Sequence, residues 1–431
     1  MKNELLRRER LRKGWSQQQL ADFAVVSLST VARAERGEAI RVDSIQRLCM
    51  CLSKIPEDLG LLKVSDDKSG GISMRDEEST PEDVGSQNNL ILPFTIDPGM
   101  TDRLDDAESI ISLAWEAWFA SRPREAARSV NKLLPGLERI VYAPHVPVHT
   151  LRAKELAIRA HGLLGSVCLD ALQNDQALFH YMQAQKFSEE IHNIDLASTY
   201  LCLVGDVLRR QNDKSGALRN MESARDRASS ASNVTLGHIL QLLAYTYGDT
   251  GQEEAFERTI SEATDLLAFS GEGLDSAQKE FIPFEIYEIR GKVNRDLGKP
   301  LHAIPYLELA EKSLATATAD SVTPRWRALL EISRAQAFCD AGDITTGIDL
   351  ACKGFLMAYQ CRSPRQMNRV RKLLKKLESG QFKDHPRVHD LKNLVYETYL
   401  VMDNEDPSKP NRGIPLAIQT LGGLRRDPGQ G

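Results

Sequence analysis

The chain has 431 residues, 27% of them charged and 42% apolar, with a formal net charge of −5. That length accommodates more than one domain, and the composition is ordinary for a globular protein in water. No run of apolar residues is long enough to span a bilayer, and the basic start MKNELLRRERLRK is not followed by the apolar stretch of a secretory signal, so neither is expected.

The first 62 residues hold eleven Lys/Arg against eight Asp/Glu, a surplus of three that leaves −8 for the remainder. A basic head on an acidic body is the charge distribution of a module that meets a polyanion. Within the head, residues 3 to 62 read as short helices with tight turns. Ser16 is placed to cap a helix, with Gln19 three residues on to complete a capping box. Leu20, Ala21 and Ala24 give that helix an inward stripe, and Val25 and Val26 make a turn. Ser27 then caps a second helix with Val31 and Ala34 facing inward, and Gly37 ends it. A further helix follows, with Asp43 or Ser44 as cap and Ile45, Leu48 and Leu52 as its core face.

Residues 63–103 change character. They contain SGG, DEEST, PEDVGSQNN and DPG, which offer little apolar surface to bury, and are expected to form an acidic flexible linker. From 104 to 402 the pattern is helical throughout, and it repeats. A small residue is followed by another twelve residues on and a third seven further: Gly165, Ala177 and Ala184; Gly205, Ala217 and Ala224; Gly291, Ala303 and Ala310; Ala335, Gly347 and Gly354. The starts at 165 and 205 lie 40 apart, those at 291 and 335 lie 44 apart, and the wider gap leaves room for a degenerate unit at 236–268. Turns are expected at Asn174-Asp175, Asn212-Asp213, Thr250-Gly251, Leu297-Gly298 and Ala341-Gly342. Small residues at such intervals let two antiparallel helices approach closely, and hairpins that cannot bury their apolar faces alone stack into a solenoid. The tail 403–431, which includes DPSKPNRG and RRDPGQG, is expected to be disordered.

No GxxxxGK[ST], HExxH, GxSxG or Rossmann fingerprint occurs, so no enzyme is expected. His145 and His149 are four apart, but Pro147 between them argues against a metal-binding helix. The seven cysteines (49, 51, 168, 202, 339, 352 and 361) form no CxxC pair and read as buried small apolar residues of a cytoplasmic protein. Neither a metal nor a cofactor is expected.

Two family resemblances fit these residues. Ser16-Gln17, Leu20-Ala21, Val26-Ser27, Thr30-Val31 and Glu35-Arg36-Gly37 resemble the Cro/C1-type (XRE) helix-turn-helix family over residues 4 to 60. One departure is Val25, where that family often carries Gly. The repeating small residues resemble the tetratricopeptide family, with a longer period and without its early Trp and terminal Pro. Together they imply an all-α chain: a four- to five-helix DNA-binding domain at 1–62, a linker, and an α-solenoid. The first resemblance implies that the helix from Ser27 enters the major groove, with Leu28, Ser29 and Arg33 toward base edges and Gln17, Thr30 and Arg41 on phosphates. It also implies an internal Arg10–Glu35 ion pair. The second implies a concave surface lined by Arg159, Ser166, Asp206, Arg209, Arg210, Glu285, Glu288, Lys292 and Arg295. The pairing looks like Gram-positive regulators that sense signal peptides, whose repeat domain dimerises and whose two heads read a palindromic operator. The competing expectation is an interaction scaffold or antitoxin-like adaptor that acts through the array, with a head that no longer reads DNA.

Overall fold

The computed structural model describes residues 3–13, 15–24, 26–38, 40, 42–52, 54, 59–61, 98–142, 147–269, 281–316 and 323–404. The chain divides into two compact units, Met1–Pro93 and Phe94–Gly431. Among the described residues there is no β-strand.

The first unit holds four described helices: α1 (Glu4–Arg12), α2 (Gln17–Phe23), α3 (Leu28–Glu35) and α4 (Val42–Leu52). Its core is Leu6, Leu20, Ala21, Ala24, Val31, Ala34, Leu48 and Leu52, which are almost fully withdrawn from solvent. The capping box forms in both directions: Gln19 N donates to Ser16 Oγ at 3.1 Å, and Ser16 N donates to Gln19 Oε1 at 2.8 Å. Ser27 Oγ accepts from Thr30 N at 3.1 Å and so caps α3. Gly37 adopts φ 75°, and the next amide, Glu38 N, closes back on Arg33 O at 3.0 Å. That bond satisfies an orphan carbonyl at the helix end, and the positive φ costs a glycine little. Asp43 and Ser44, expected as caps, stand instead inside the first turn of α4, which already begins at Val42.

The second unit is a run of helices that pair with their neighbours: α5 (Pro98–Phe119), α6 (Pro123–Tyr142), α7 (Pro147–Asp170), α8 (Asn174–Glu190), α9 (Ile194–Arg210), α10 (Lys214–Arg227) and α11 (Asn233–Asp249). Then come α12 (Glu253–Asp265), α13 (Pro283–Asp296), α14 (Pro300–Thr316), α15 (Pro324–Asp340), α16 (Ile344–Gln360), α17 (Pro364–Ser379) and α18 (Pro386–Asn404). Proline opens eight of these fourteen, where its fixed φ suits the first turn and its missing N–H costs nothing. Helix α5 starts within the span expected as linker, and α18 runs two residues past the expected boundary at 402.

The small-residue pattern is where paired helices touch. A Cβ on Gly205 of α9 would lie 2.7 Å from Met221 and 3.1 Å from the carbonyl of Ala217 on α10. On Gly291 of α13 it would meet Leu307 at 2.6 Å and the Ala303 carbonyl at 3.2 Å on α14. A Cβ on Gly347 of α16 would lie 3.1 Å from the Ala335 carbonyl of α15, the same close approach with the glycine on the other helix. The degenerate unit is the hairpin α11–α12. Four of the five expected turns lie where predicted, each with a left-handed residue: Asn212, Gly251, Gly298 and Gly342. The first differs. Asn174 and Asp175 open α8, and the turn is Ala171–Gln173 with Leu172 at φ 64°. All five turns close with one bond, from the amide after the left-handed residue to the carbonyl five residues back, such as Gln173 N to Cys168 O at 2.9 Å and Lys299 N to Asn294 O at 2.9 Å. That bond recovers part of the strain of a non-glycine residue at positive φ.

The array also closes on itself. Ser363 Oγ, at the start of α17, donates to Asp170 Oδ1 at the end of α7 at 2.7 Å, and both residues are buried. Arg325 of α15 pairs with the other oxygen of Asp170 at 2.6 Å, and its guanidinium lies 3.9 Å from the ring centre of Trp118 on α5.

Candidate functional site

Two groups of residues carry candidate chemistry, one in each unit. In the head, α3 is held by a buried polar knot. Arg10 Nε donates to Glu35 Oε1 at 2.6 Å, with both side chains under a tenth exposed. Arg10 Nη1 donates to the Trp15 carbonyl at 2.6 Å. The other oxygen of Glu35 accepts from Gln17 Nε2 at 2.6 Å. One carboxylate at the end of α3 therefore ties α1, the entry to α2 and α3 into a fixed arrangement. The expected Arg10–Glu35 pair is present. Gln17 was expected to reach outward, and its amide nitrogen is engaged inward instead.

The N-terminal turn of α3 faces solvent. Leu28 is 45% exposed, and Ser27 and Ser29 are exposed beside it. Ser27 Oγ lies 2.8 Å from both Ser29 Oγ and Thr30 Oγ1, so three hydroxyls converge at the helix start. A helix N-terminus with added donors is a natural seat for phosphate oxygens. Arg33 lies one turn further on, its side chain 52% exposed and bonded to Glu38 Oε2 at 3.3 Å. Glu38 also accepts from Arg36 Nε at 2.6 Å, which holds its carboxyl below the usual range through that hydrogen bond. Val25 and Arg41 lie outside the described residues.

In the array, the six principal wall residues belong to one continuous network on the odd-numbered helices. Asp206, 3% exposed, accepts from Arg209 Nη2 and Arg210 Nε at 2.7 Å each. Burial alone would raise its pKa, but Arg210, Arg209 and Arg365 outweigh it and hold the carboxyl well below its ordinary value. The Tyr245 ring sits between Arg209, 4.1 Å from its centre, and Lys292, 4.2 Å away. Lys292 lies 3.9 Å from Glu288, which is 1% exposed and also accepts from Ser333. Burial opposes ionisation of Glu288, and Lys292 and Arg369 outweigh it to lower the pKa. Arg295 donates to Asp296 and to Gln336, which also accepts from Arg369 Nη2 at 2.8 Å. Arg159 and Ser166 lie apart from this network: Arg159 pairs with Glu108 of α5 at 3.0 Å, and Ser166 with Tyr181 of α8 at 3.1 Å.

Tyr245, Gln336, Arg365 and Arg369 were not anticipated. The repeat period would have found some of these contacts. Arg209 bonds Asp249, 40 residues on, and Arg295 bonds Gln336, 41 residues on, so partners stand one repeat apart.

A helix-turn-helix family model matches residues 6–58, so a helix-turn-helix domain of the Cro/C1 type stands at the N-terminus. No curated protein matches the chain. Among solved structures, the chain is similar to a Rap protein complexed with competence and sporulation factor, at 12% identity and TM-score 0.42, over 70% of this chain and 94% of that one. It is also similar to BtubC (BKLC) from P. vanneervenii, at 15% identity and TM-score 0.38, over 67% of this chain and 95% of that one.

Proposed function

We propose that the protein is a cytoplasmic, sequence-specific DNA-binding transcription regulator whose repeat domain dimerises, senses a peptide or protein signal, or does both. The observation that carries this reading is the exposed N-terminal turn of α3, with Ser27, Leu28, Ser29 and Thr30 presented from a helix that the Arg10–Glu35–Gln17 knot holds in place. In this reading Leu28 and Ser29 meet base edges and the hydroxyls of Ser27 and Thr30 meet phosphate. Arg33 exchanges Glu38 for a guanine edge or a phosphate, and Arg41 adds a phosphate contact. Gln17 contributes through its backbone and its amide oxygen. A homodimer would set two heads on a palindrome about one helical turn, or a multiple of it, apart. Of the expected linker 63–103 and tail 403–431, residues 63–97 and 405–431 lie outside the described residues.

A second reading, an interaction scaffold acting through the array, is favoured by one observation: the side chains of Gln17 and Arg33 are both bonded to carboxylates of the head itself. One experiment separates the two. Binding of the full chain to its own upstream DNA and to scrambled DNA is measured at two salt concentrations, with Arg33→Ala alongside. The regulator reading expects preference for the upstream DNA, steep weakening with salt, and a loss of about 1–3 kcal/mol in the variant. Equal weak binding to both DNAs, unchanged by the substitution, would favour the scaffold.

A further inference from the structure

Helix α17 is charged unlike the chain as a whole. It carries six Lys/Arg and one acid over sixteen residues, a surplus of five in a protein whose net charge is −5. Met367, Val370, Leu373, Leu374 and Leu377 form its buried side. Arg369 turns inward and donates to Ser333 and Gln336 of α15 at 2.8 Å each. The other five cations stand on the opposite side. At about 3.6 residues per turn, Arg371, Lys375, Lys372, Arg365 and Lys376 follow one another across an arc of about 140°. Arg371, Lys372, Lys375 and Lys376 are exposed, and Arg365 is half-buried. Pro364, Asn368 and Ser379 are the other α17 residues in that arc, which therefore holds no acid and no large apolar side chain. Glu378, the one acid of the helix, lies at its edge and pairs with Lys392 of α18 at 2.9 Å.

Such a face works against the helix that bears it. Arg371 with Lys375, and Lys372 with Lys376, are like charges one turn apart, and each such pair weakens a helix. Elsewhere on the array, exposed cations are set beside acids: Arg122 by Glu125, Arg227 by Glu189 and Arg387 by Asp349. On α17, Lys376 reaches Asp340 at 2.7 Å while staying 68% exposed, and Arg371 lies 5.2 Å from the ring centre of Tyr399. Lys372 and Lys375 have no hydrogen bond or ion pair among the described residues.

The chemistry of the face selects its partner. A specific protein interface is anchored by buried aromatic and apolar side chains and is depleted in lysine. A helix that lies in a membrane surface needs apolar residues to bury there. The outer face of α17 offers cations at close spacing and no apolar anchor. It fits a surface of closely spaced anions met by charge alone, as the phosphate backbone of duplex DNA is.

We propose that the outer face of α17, through Lys372 and Lys375 flanked by Arg371 and Lys376, is a second DNA-contact surface that holds phosphates without reading sequence. The choice of duplex DNA among polyanions rests on the reading of the chain as a DNA-binding regulator. The inference goes beyond that reading, because it gives the repeat domain an affinity of its own for the duplex. Sequence choice stays with the head, and the array adds salt-sensitive affinity.

The test titrates the full chain with a duplex of its upstream DNA and with a scrambled duplex of equal length, across a salt series. Lys372→Gln with Lys375→Gln removes two unpaired cations from an exposed helix face, so the fold is kept. Lys186→Gln with Arg227→Gln removes the same charge from exposed positions already paired with acids, and is the control. The α17 variant is expected to weaken binding of both duplexes alike, roughly tenfold or more near physiological salt, and to flatten the slope of log K against log salt by about two. Lys372→Arg with Lys375→Arg keeps both at the wild-type level. The ratio of upstream to scrambled affinity is unchanged in the α17 variant, whereas Arg33→Ala lowers it, so the two surfaces have separate readouts. An α17 variant that matches wild type or the control in affinity and slope overturns the proposal and leaves the regulator reading intact. Competition by poly-glutamate as strong as by duplex DNA of equal charge overturns it too, and marks an acidic protein as the partner. Loss of affinity in the α17 variant without any preference for the upstream duplex upholds the phosphate surface and overturns the regulator reading.

Discussion

Glu35→Ala tests how the head is held together. Glu35 is the shared acceptor for Arg10 and Gln17, and its removal leaves the Arg10 guanidinium, 8% exposed as a side chain, with only the Trp15 carbonyl. Breaking a buried ion pair from one side costs about 3–5 kcal/mol, because the remaining charge stays buried. A domain of roughly 60 residues has a total stability of only about 3–9 kcal/mol, so this single change removes a large share of it. With an m-value near 1 kcal/mol/M in urea, the head's unfolding midpoint falls by about 3 M or its fold is lost outright. The assay is hydrogen exchange of the α1–α4 amides in the full chain across a urea series, which reads the head without the array. The same series is run on Arg10→Met with Glu35→Leu, where both charges leave together. That pair recovers most of the stability, since an apolar replacement of a buried ion pair is near neutral. A loss below about 1 kcal/mol in Glu35→Ala would refute the reasoning, as would a double variant no more stable than the single one.

Four further outcomes follow from the geometry. Gly205→Val overpacks the α9–α10 contact and destabilises the array by about 1–3 kcal/mol, whereas Gly136→Ala, which meets nothing within 4 Å, raises its stability by up to about 1 kcal/mol; denaturant midpoints decide both. Asp170→Asn removes the anion that Arg325 pairs with at 2.6 Å and speeds hydrogen exchange in α17 while leaving α12 unchanged. Burial holds His238 neutral, with its pKa lowered from 6.5 to about 4 against the opposing pull of Asp206, so the unfolded chain takes up a proton that the folded one refuses. Its contribution is complete above pH 6.5 and is lost as pH falls toward 4; going from pH 7 to 5 costs about 2 kcal/mol, and an array whose acid sensitivity is the same in His238→Gln would contradict this. Glu38→Gln releases Arg33 and Arg36 from a shared carboxylate and tightens operator binding at low salt, measured by titration of labelled DNA.

The head was legible because each of its signals is local. Ser16 with Gln19, Ser27 with Thr30, and Gly37 after an apolar turn are caps whose partners lie within three or four residues, and every one of them forms. The array's hairpins were legible for a different reason: a glycine or alanine repeated at a fixed interval is required wherever two backbones touch, as at Gly205 and Ala217. The first turn was misplaced because Leu172 carries the left-handed conformation, and leucine has no propensity that announces it. The same holds for His192 and Arg362, which take φ 55° and 51° at later junctions. In these cases the Schellman-type bond and the packed helices on either side impose a backbone that the residue itself does not prefer.

The array's wall residues show a deeper limit. The resemblance to tetratricopeptide repeats implied that Asp206, Arg209, Arg210, Glu288, Lys292 and Arg295 line one side of the solenoid, and an open solenoid would display them to water. What periodicity does not contain is curvature, the small rotation per repeat that decides whether the wall opens or shuts. Here the rotation brings α17 back to α7 at Ser363 and Asp170. The wall charges then face one another, and Asp206 and Glu288 are left 3% and 1% exposed. Carboxylates so buried remain ionised only because guanidiniums and Lys292 surround them. The network therefore depends on closure, and closure depends on the network. A ligand that entered the wall would have to replace interactions already made there.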